Sequence, residues 1–197
     1  MMRRIAGLVI AFALSLPVAG PLAAAEMGDD GLHKTAWMRD TFRDLSEDLE
    51  EANAEGKRLL LLVEQRGCIY CDKMHKEVFS QAEVSDYIEE NFFVVQINLY
   101  GDTEVTDFDG ETASEKNMAR RWGLMFTPTM MFLPESVAQG QTASEAAVAT
   151  MPGAFGKGTT LDMLTWVNER LYDVSPDEGF QRYHARRIQE RADGAGD

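Results

Sequence analysis

The 197-residue chain has only two cysteines, three histidines and six prolines. Apart from its first two dozen residues it has no apolar run long enough to cross a bilayer. Basic residues are scarce, with 19 Lys+Arg against 33 Asp+Glu and a formal net charge of -14. A chain this acidic is not suited to nucleic acid or anionic lipid surfaces. With two cysteines a multi-bridge disulfide framework is excluded. No histidine follows the second cysteine directly, since Asp72 stands there, so a c-type haem attachment is excluded as well. No internal repeat is visible.

The first residues, MMRRIAGLVIAFALSLPVAGPLAAAE, place Arg3 and Arg4 before an apolar stretch, with Ala23-Ala24-Ala25 after it. That is the layout of a secretory signal peptide over residues 1–25, with cleavage near Ala25 and a single mature domain over 26–197. An uncleaved anchor fits less well, because the apolar run is short and ends in Pro17, Gly20 and Pro21. The Arg-led signal suits bacterial export, so a periplasmic location is expected. The mature length suits one domain with its own core.

Both cysteines lie in EQRGCIYCDKMHKEVF, Glu64 to Phe79, as Cys68 and Cys71. They could be a redox couple, two metal ligands or a staple. A bridge across two residues closes a tiny loop and removes little entropy from the unfolded chain, which makes a staple a poor explanation.

The surrounding pattern locates the pair. Asp40–Asn53 carries Phe42, Leu45 and Leu49 at helical spacing, and Gly56 closes it. KRLLLLVEQ reads as a buried strand. Cys71–Phe79 and QAEVSDYIEENF read as helices, and Phe92–Leu99 reads as a second strand. Asp109-Gly110 marks a tight turn within an acidic hairpin or loop, which lacks the spacing of a calcium loop. A helix is expected over about Ser114–Trp122, then strands at Thr129–Leu133 and Glu145–Gly153. The closing helix should carry Leu161, Leu164, Val167 and Leu171 on one face. Pro176 should open a last polar helix, with a frayed ADGAGD tail. A helix between the first two strands predicts parallel pairing, and two closely spaced late strands predict an antiparallel pair. The expected architecture is α/β, a mixed sheet flanked by helices.

Placing Cys-x-x-Cys after a buried strand and at a helix start has a chemical use. The free N–H groups and dipole of the helix end stabilise a Cys68 thiolate, the nucleophile of disulfide exchange. Cys71, a turn further in, can then attack the mixed disulfide and release the partner.

From about Phe42 to Tyr172 the chain resembles the thioredoxin superfamily. The likeness rests on strand–CxxC–helix, on FTPT opening a strand, and on MPGAFGKG before the closing helix. It implies a thioredoxin-like fold with Pro128, preceded by Thr127, as a cis-proline facing the cysteines, and with Gly153 ending the last strand. EQRGCIYC, DFDG and RRWGLMFTPTMMFLPE resemble the SoxW-type periplasmic thioredoxins, linked to sulfur oxidation.

One departure stands out. Many thioredoxins have a buried aspartate six residues before the first cysteine, where this chain has Leu62. Glu64 lies two residues on, on the same strand face by alternation. It is expected either to supply the missing carboxylate for Cys71 or to be a solvated strand-end acid. Tyr70 and Thr127 resemble the pairings of periplasmic reductases and isomerases.

His75, four residues after Cys71, would complete a Cys68, Cys71, His75 metal set. The plainer expectation is a partly exposed helix histidine with no tuning role. His33 and His184 have no motif around them, and Met130, Met131 and Met163 read as core residues.

The resemblance thus implies a thiol–disulfide reductase with no cofactor beyond its redox-active cysteine pair, and a monomer. Its substrates would be exported proteins with reactive cysteines, among them a sulfur-oxidation carrier, and a membrane protein of the DsbD/CcdA type would supply electrons. The alternatives are a Cu(I) chaperone on the same fold, for which the cysteine spacing is narrow, and a disulfide isomerase, for which no dimerisation module is apparent.

Overall fold

The structure, a computed structural model, describes residues 25–175 and 177–194. The expected signal peptide lies outside the described residues except for Ala25, as do Pro176 and the last three residues of the tail. The chain enters through a small antiparallel pair, β1 (Glu26–Met27) and β2 (His33–Lys34). Next comes β3 (Met38–Arg39) at a sheet edge. Helix α1 (Leu45–Ala54) starts where the Asp44 side chain accepts from the N–H groups of Ser46 and Glu47. This acidic N-cap satisfies donors that the helix itself cannot. Phe42, expected on the buried face of this helix, precedes it and is 94% exposed. Arg43 is the reason: its left-handed φ of 58° turns the chain before the helix can start.

Strand β4 (Arg58–Glu64) is buried along its whole length, as an unbroken apolar run predicts for a central strand. It leads into α2 (Ile69–Met74), which runs on into a π turn over His75–Phe79. Then follow α3 (Ala82–Asn91) and β5 (Phe92–Asn98). The acidic stretch forms a hairpin of β6 (Glu104–Thr106) and β7 (Thr112–Ser114). Its hub is Asp107, which accepts from the Trp122 indole at 2.8 Å and from the Ala143 N–H at 2.8 Å. The rest is α4 (Glu115–Arg121), β8 (Thr129–Phe132), α5 (Ala143–Ala146), β9 (Ala149–Pro152), α6 (Lys157–Asn168), α7 (Leu171–Val174) and α8 (Phe180–Gly194).

The five-stranded sheet runs β3-β5-β4-β8-β9. β3, β5 and β4 are parallel, while β8 and β9 are antiparallel to their neighbours. Alternation along β4 separates two cores. Leu60 and Leu62 join Met74, Val78, Ile88 and Leu164 under α2, α3 and α6. Leu59, Leu61 and Val63 join Leu45, Leu49, Met118 and Ala119 under α1 and α4. Each fully buried leucine or valine contributes about 1.5–3 kcal/mol relative to exposure. Met130, Met131 and Met163 are core residues, as expected.

Two other boundaries differ from expectation. Residues 145–148 are not strand: Thr142 and Glu145 form a reciprocal capping box that winds Glu145 and Ala146 into α5, Ala147 and Val148 connect the helix to the sheet, and the strand begins at Ala149. Leu171 is not on the α6 face, because α6 stops at Asn168 and Arg170 adopts φ 56°. The last helix begins at Phe180. It is fastened by Asp162, whose carboxylate accepts from Arg191 at 2.8 and 2.9 Å and meets His184 Nδ1 at 2.6 Å. Burial works against ionising Asp162, but the Arg191 and His184 hydrogen bonds outweigh it and hold the carboxyl low.

Candidate active site

Strand β4 ends at Glu64, and a short turn carries the chain to Cys68. Gly67 takes φ +69° there, a conformation that a side chain would strain. Cys68 caps α2, and Cys71 lies one turn inside it. The two are joined in a disulfide, with Cα atoms 5.2 Å apart. Cys68 Sγ accepts from the Cys71 N–H at 3.0 Å and from the Thr127 hydroxyl at 3.2 Å. Two donors on one sulfur are what a thiolate needs for stabilisation. Cys68 keeps 8% exposure and Cys71 only 1%, so the first cysteine is the more accessible of the two.

The Thr127–Pro128 peptide is cis and leads directly into β8. The Pro128 carbonyl accepts from the Gly153 N–H at 2.7 Å, which ties this turn to the end of β9. Gly153 has φ +103°, a conformation that favours glycine. Ile69 and Tyr70 beside the cysteines, and Met125 and Phe126 before Thr127, are exposed. A rim of exposed large apolar side chains around a reactive sulfur suits contact with a polypeptide.

Beneath the cysteines lies a polar cluster that sequence reasoning located only in part. Glu64 shares the Leu62 side of β4 and is 1% exposed, which excludes the solvated strand-end acid. Its Oε1 lies 3.0 Å from His75 Nε2, and its Oε2 accepts from Gln96 Nε2 at 2.7 Å. His75 is 3% exposed, so the expectation of a partly exposed histidine is wrong. The helix packs that side inward, and the buried carboxylate gives the ring a partner. His33, without a motif of its own in the sequence, stacks on His75 with ring centroids 4.4 Å apart. His33 Nε2 also meets Asp72 at 3.3 Å. The Lys76 hydrogen bond, then that from His33, holds the Asp72 carboxyl below its ordinary range. Gln96 binds the His33 carbonyl at 2.8 Å and accepts from Lys34 at 2.6 Å. A glutamine inside the apolar run FFVVQINL was the one sequence signal that a buried polar partner awaited it.

His33, Glu64 and His75 place ligand atoms within 4.8 Å of one another. The contacts recorded among them are those of a hydrogen-bond network: both Glu64 oxygens have partners, and the two imidazoles stack nearly parallel, at 16°. Cys68, Cys71 and His75 are not brought together as one ligand set: the sulfurs are bonded to each other and His75 Nε2 turns to Glu64.

A CxxC disulfide leaving a central strand, with a cis-proline turn hydrogen-bonded to its first sulfur, defines a dithiol–disulfide exchange protein on an α/β fold. Residues 45–152 match the family described as thioredoxin-like domain, and the chain belongs to that family. No curated protein sequence matches the chain. Among solved structures it is similar to a thioredoxin-fold protein from Helicobacter pylori, at 20% identity over 70% of this chain and 86% of that one, with a TM-score of 0.55. It is also similar to a thioredoxin from Thermus thermophilus, at 23% identity over 63% of this chain and 83% of that one, with a TM-score of 0.48. The first likeness establishes the fold. Family membership together with the Cys68–Cys71 pair makes the chain a thiol–disulfide oxidoreductase with a CxxC active site.

Proposed function

We propose that the protein is a periplasmic thiol–disulfide reductase of exported proteins, with Cys68 attacking and Cys71 resolving. The observation that carries the division of labour is the contrast between the two sulfurs. Cys68 Sγ accepts two hydrogen bonds and its residue keeps some exposure, whereas Cys71 is almost fully buried. Thr127 and Pro128 form the wall against which a substrate strand docks, and Glu64 supports Cys71 from below. The basic, apolar and small-residue layout of the first 25 residues supports export. No helix among the described residues is long and apolar enough to cross a membrane. The likeness of EQRGCIYC and RRWGLMFTPTMMFLPE to SoxW-type thioredoxins supports a sulfur-oxidation carrier as substrate and a DsbD/CcdA-type membrane donor as the source of electrons.

The test is trapping in periplasmic extract on non-reducing gels. Cys71→Ser should accumulate mixed disulfides and Cys68→Ser none. The reverse pattern would exchange the roles, and no adduct with either would overturn the exchange reading. The direction of electron flow is tested separately by equilibrating Cys68/Cys71 against glutathione. Potentials in this superfamily span roughly -270 to -120 mV. A value at the reducing end supports a reductase, and one at the oxidising end overturns it.

A further inference from the structure

Glu64 and His75 are both buried, and Glu64 Oε1 lies 3.0 Å from His75 Nε2. Glu64 Oε2 accepts from Gln96, which leaves Oε1 to the imidazole. A neutral imidazole protonated at Nε2 has a bare lone pair at Nδ1. His75 Nδ1 is buried and has no hydrogen-bond partner among the described residues. A carboxylate holding one ring nitrogen while the other stays basic and unpaired is the arrangement of a proton-accepting histidine.

Position adds a second, independent argument. His75 follows Cys71 by four residues in one unbroken helical segment, and its N–H bonds the Cys71 and Asp72 carbonyls. Helical side chains lean toward the N-terminus, which directs the His75 side chain back along the helix toward the turn that holds Cys71. The π turn begins at this residue, and such turns concentrate at functional sites. His75 also lines a flank pocket of about 150 Å³ with Trp37 and Phe79, to which none of the exposed residues around Cys68 contributes.

We propose that His75, oriented by Glu64, accepts the proton of Cys71 and passes it to solvent through the flank pocket while a partner covers the Cys68 face. The proposal rests on the exchange reading and adds the proton route to it. In the resolving step the Cys71 S–H bond breaks and its proton moves to His75 Nδ1. The Cys71 thiolate attacks Cys68 Sγ, the Cys68–Cys71 bond forms, and the bond from Cys68 to the partner sulfur breaks. The partner leaves as a thiolate and takes a proton from water. Two electrons pass from the cysteine pair to the partner's disulfide. The imidazolium that forms is paired by Glu64 from β4. The other charged or titratable groups around it are His33 from β2, backed by Asp72 of α2, and Asp86 and Glu89 of α3 across the pocket. Lys34 reaches Glu64 only through Gln96.

The experiment is a quenched-flow single turnover of the reduced protein with excess peptide disulfide, counting mixed disulfide by mass from about pH 5 to 8, where imidazoles change charge. His75→Gln should form mixed disulfide at the wild-type rate but resolve it at least about tenfold more slowly. It should also lose the acidic limb of the resolution profile. Glu64→Gln, nearly the same size, should slow resolution less and move that limb to lower pH. Wild-type resolution rates and profiles in both variants would overturn the proposal. If His75→Gln does not fold, an unchanged profile in Glu64→Gln overturns it alone. Failure of Cys71→Ser to retain any mixed disulfide would refute the exchange reading instead.

Discussion

Replacing Thr127 by valine removes one of the two donors on Cys68 Sγ at almost constant volume. The other donor, the Cys71 backbone N–H, stays in place. A hydrogen bond to a charged group is worth about 1.5–3 kcal/mol net. Below the thiol's own titration this lowers the thiolate population by about 10- to 150-fold, taking 1.36 kcal/mol per decade. The thiolate that remains is a better nucleophile, with a Brønsted slope of about 0.4–0.5, so the net fall in attack rate is about 3- to 20-fold. At alkaline pH, where both proteins are ionised, the order should invert and the variant should react about 3- to 12-fold faster. The assay is the stopped-flow reaction of reduced protein with a chromogenic aromatic disulfide in a Cys71→Ser background, which isolates the first attack. Thr127→Ser should recover most of the loss, because it keeps the hydroxyl. A Val/Thr rate ratio that stays constant across pH would refute the reasoning. So would a serine variant as slow as the valine one, which would assign the effect to packing beside Pro128 rather than to the hydrogen bond.

Two further outcomes concern stability. Asp48 is buried in α1, and desolvation, helped by Asp44 and Glu51, pushes its carboxyl up to about 6. The folded state therefore holds a proton that the unfolded chain has released, so stability should fall as pH rises from about 4 to 6 and then level off. Asp48→Asn should remove that fall and add about 2–3 kcal/mol at pH 7; urea midpoints at pH 4 and 7 that track the wild type would contradict it. At Gly101, a methyl group would overlap the Glu115 carboxylate, which accepts from the Asn98 N–H at 2.9 Å. Gly101→Ala should cost about 1–3 kcal/mol by breaking that partly buried bond. An unchanged thermal midpoint would show that Glu115 can move aside freely.

The elements that carry the site were legible wherever a local pattern decides the structure. LLLLV reads as a doubly covered strand because both faces of β4 are packed, and the helix after Cys68 follows from spacing alone. Boundaries failed where a single backbone angle intervenes, as at Arg43 before α1 and Arg170 after α6. Residues 145–148 misled because alanine and valine fit a strand on composition, while the Thr142–Glu145 capping box wound the first two of them into a helix.

The sequence by itself determined the reactive pair, its place after a buried strand at a helix start, and Glu64 on the same strand face as Leu62. These depend on periods of two and 3.6 residues and on the spacing of neighbours, all of which are local. Only the tertiary structure decided which polar groups would be buried together. His33 from the entering hairpin, Gln96 from β5 and His75 from the π turn meet at Glu64 because parallel pairing of β4 with β5 and packing of α2 on that sheet face bring them there. A group withdrawn from water must find its partner among whatever the fold places beside it, and those neighbours come from segments far apart in the chain. The same burial gives a helix histidine with no legible role in the sequence a carboxylate at one nitrogen and, among the described residues, no hydrogen-bond partner at the other.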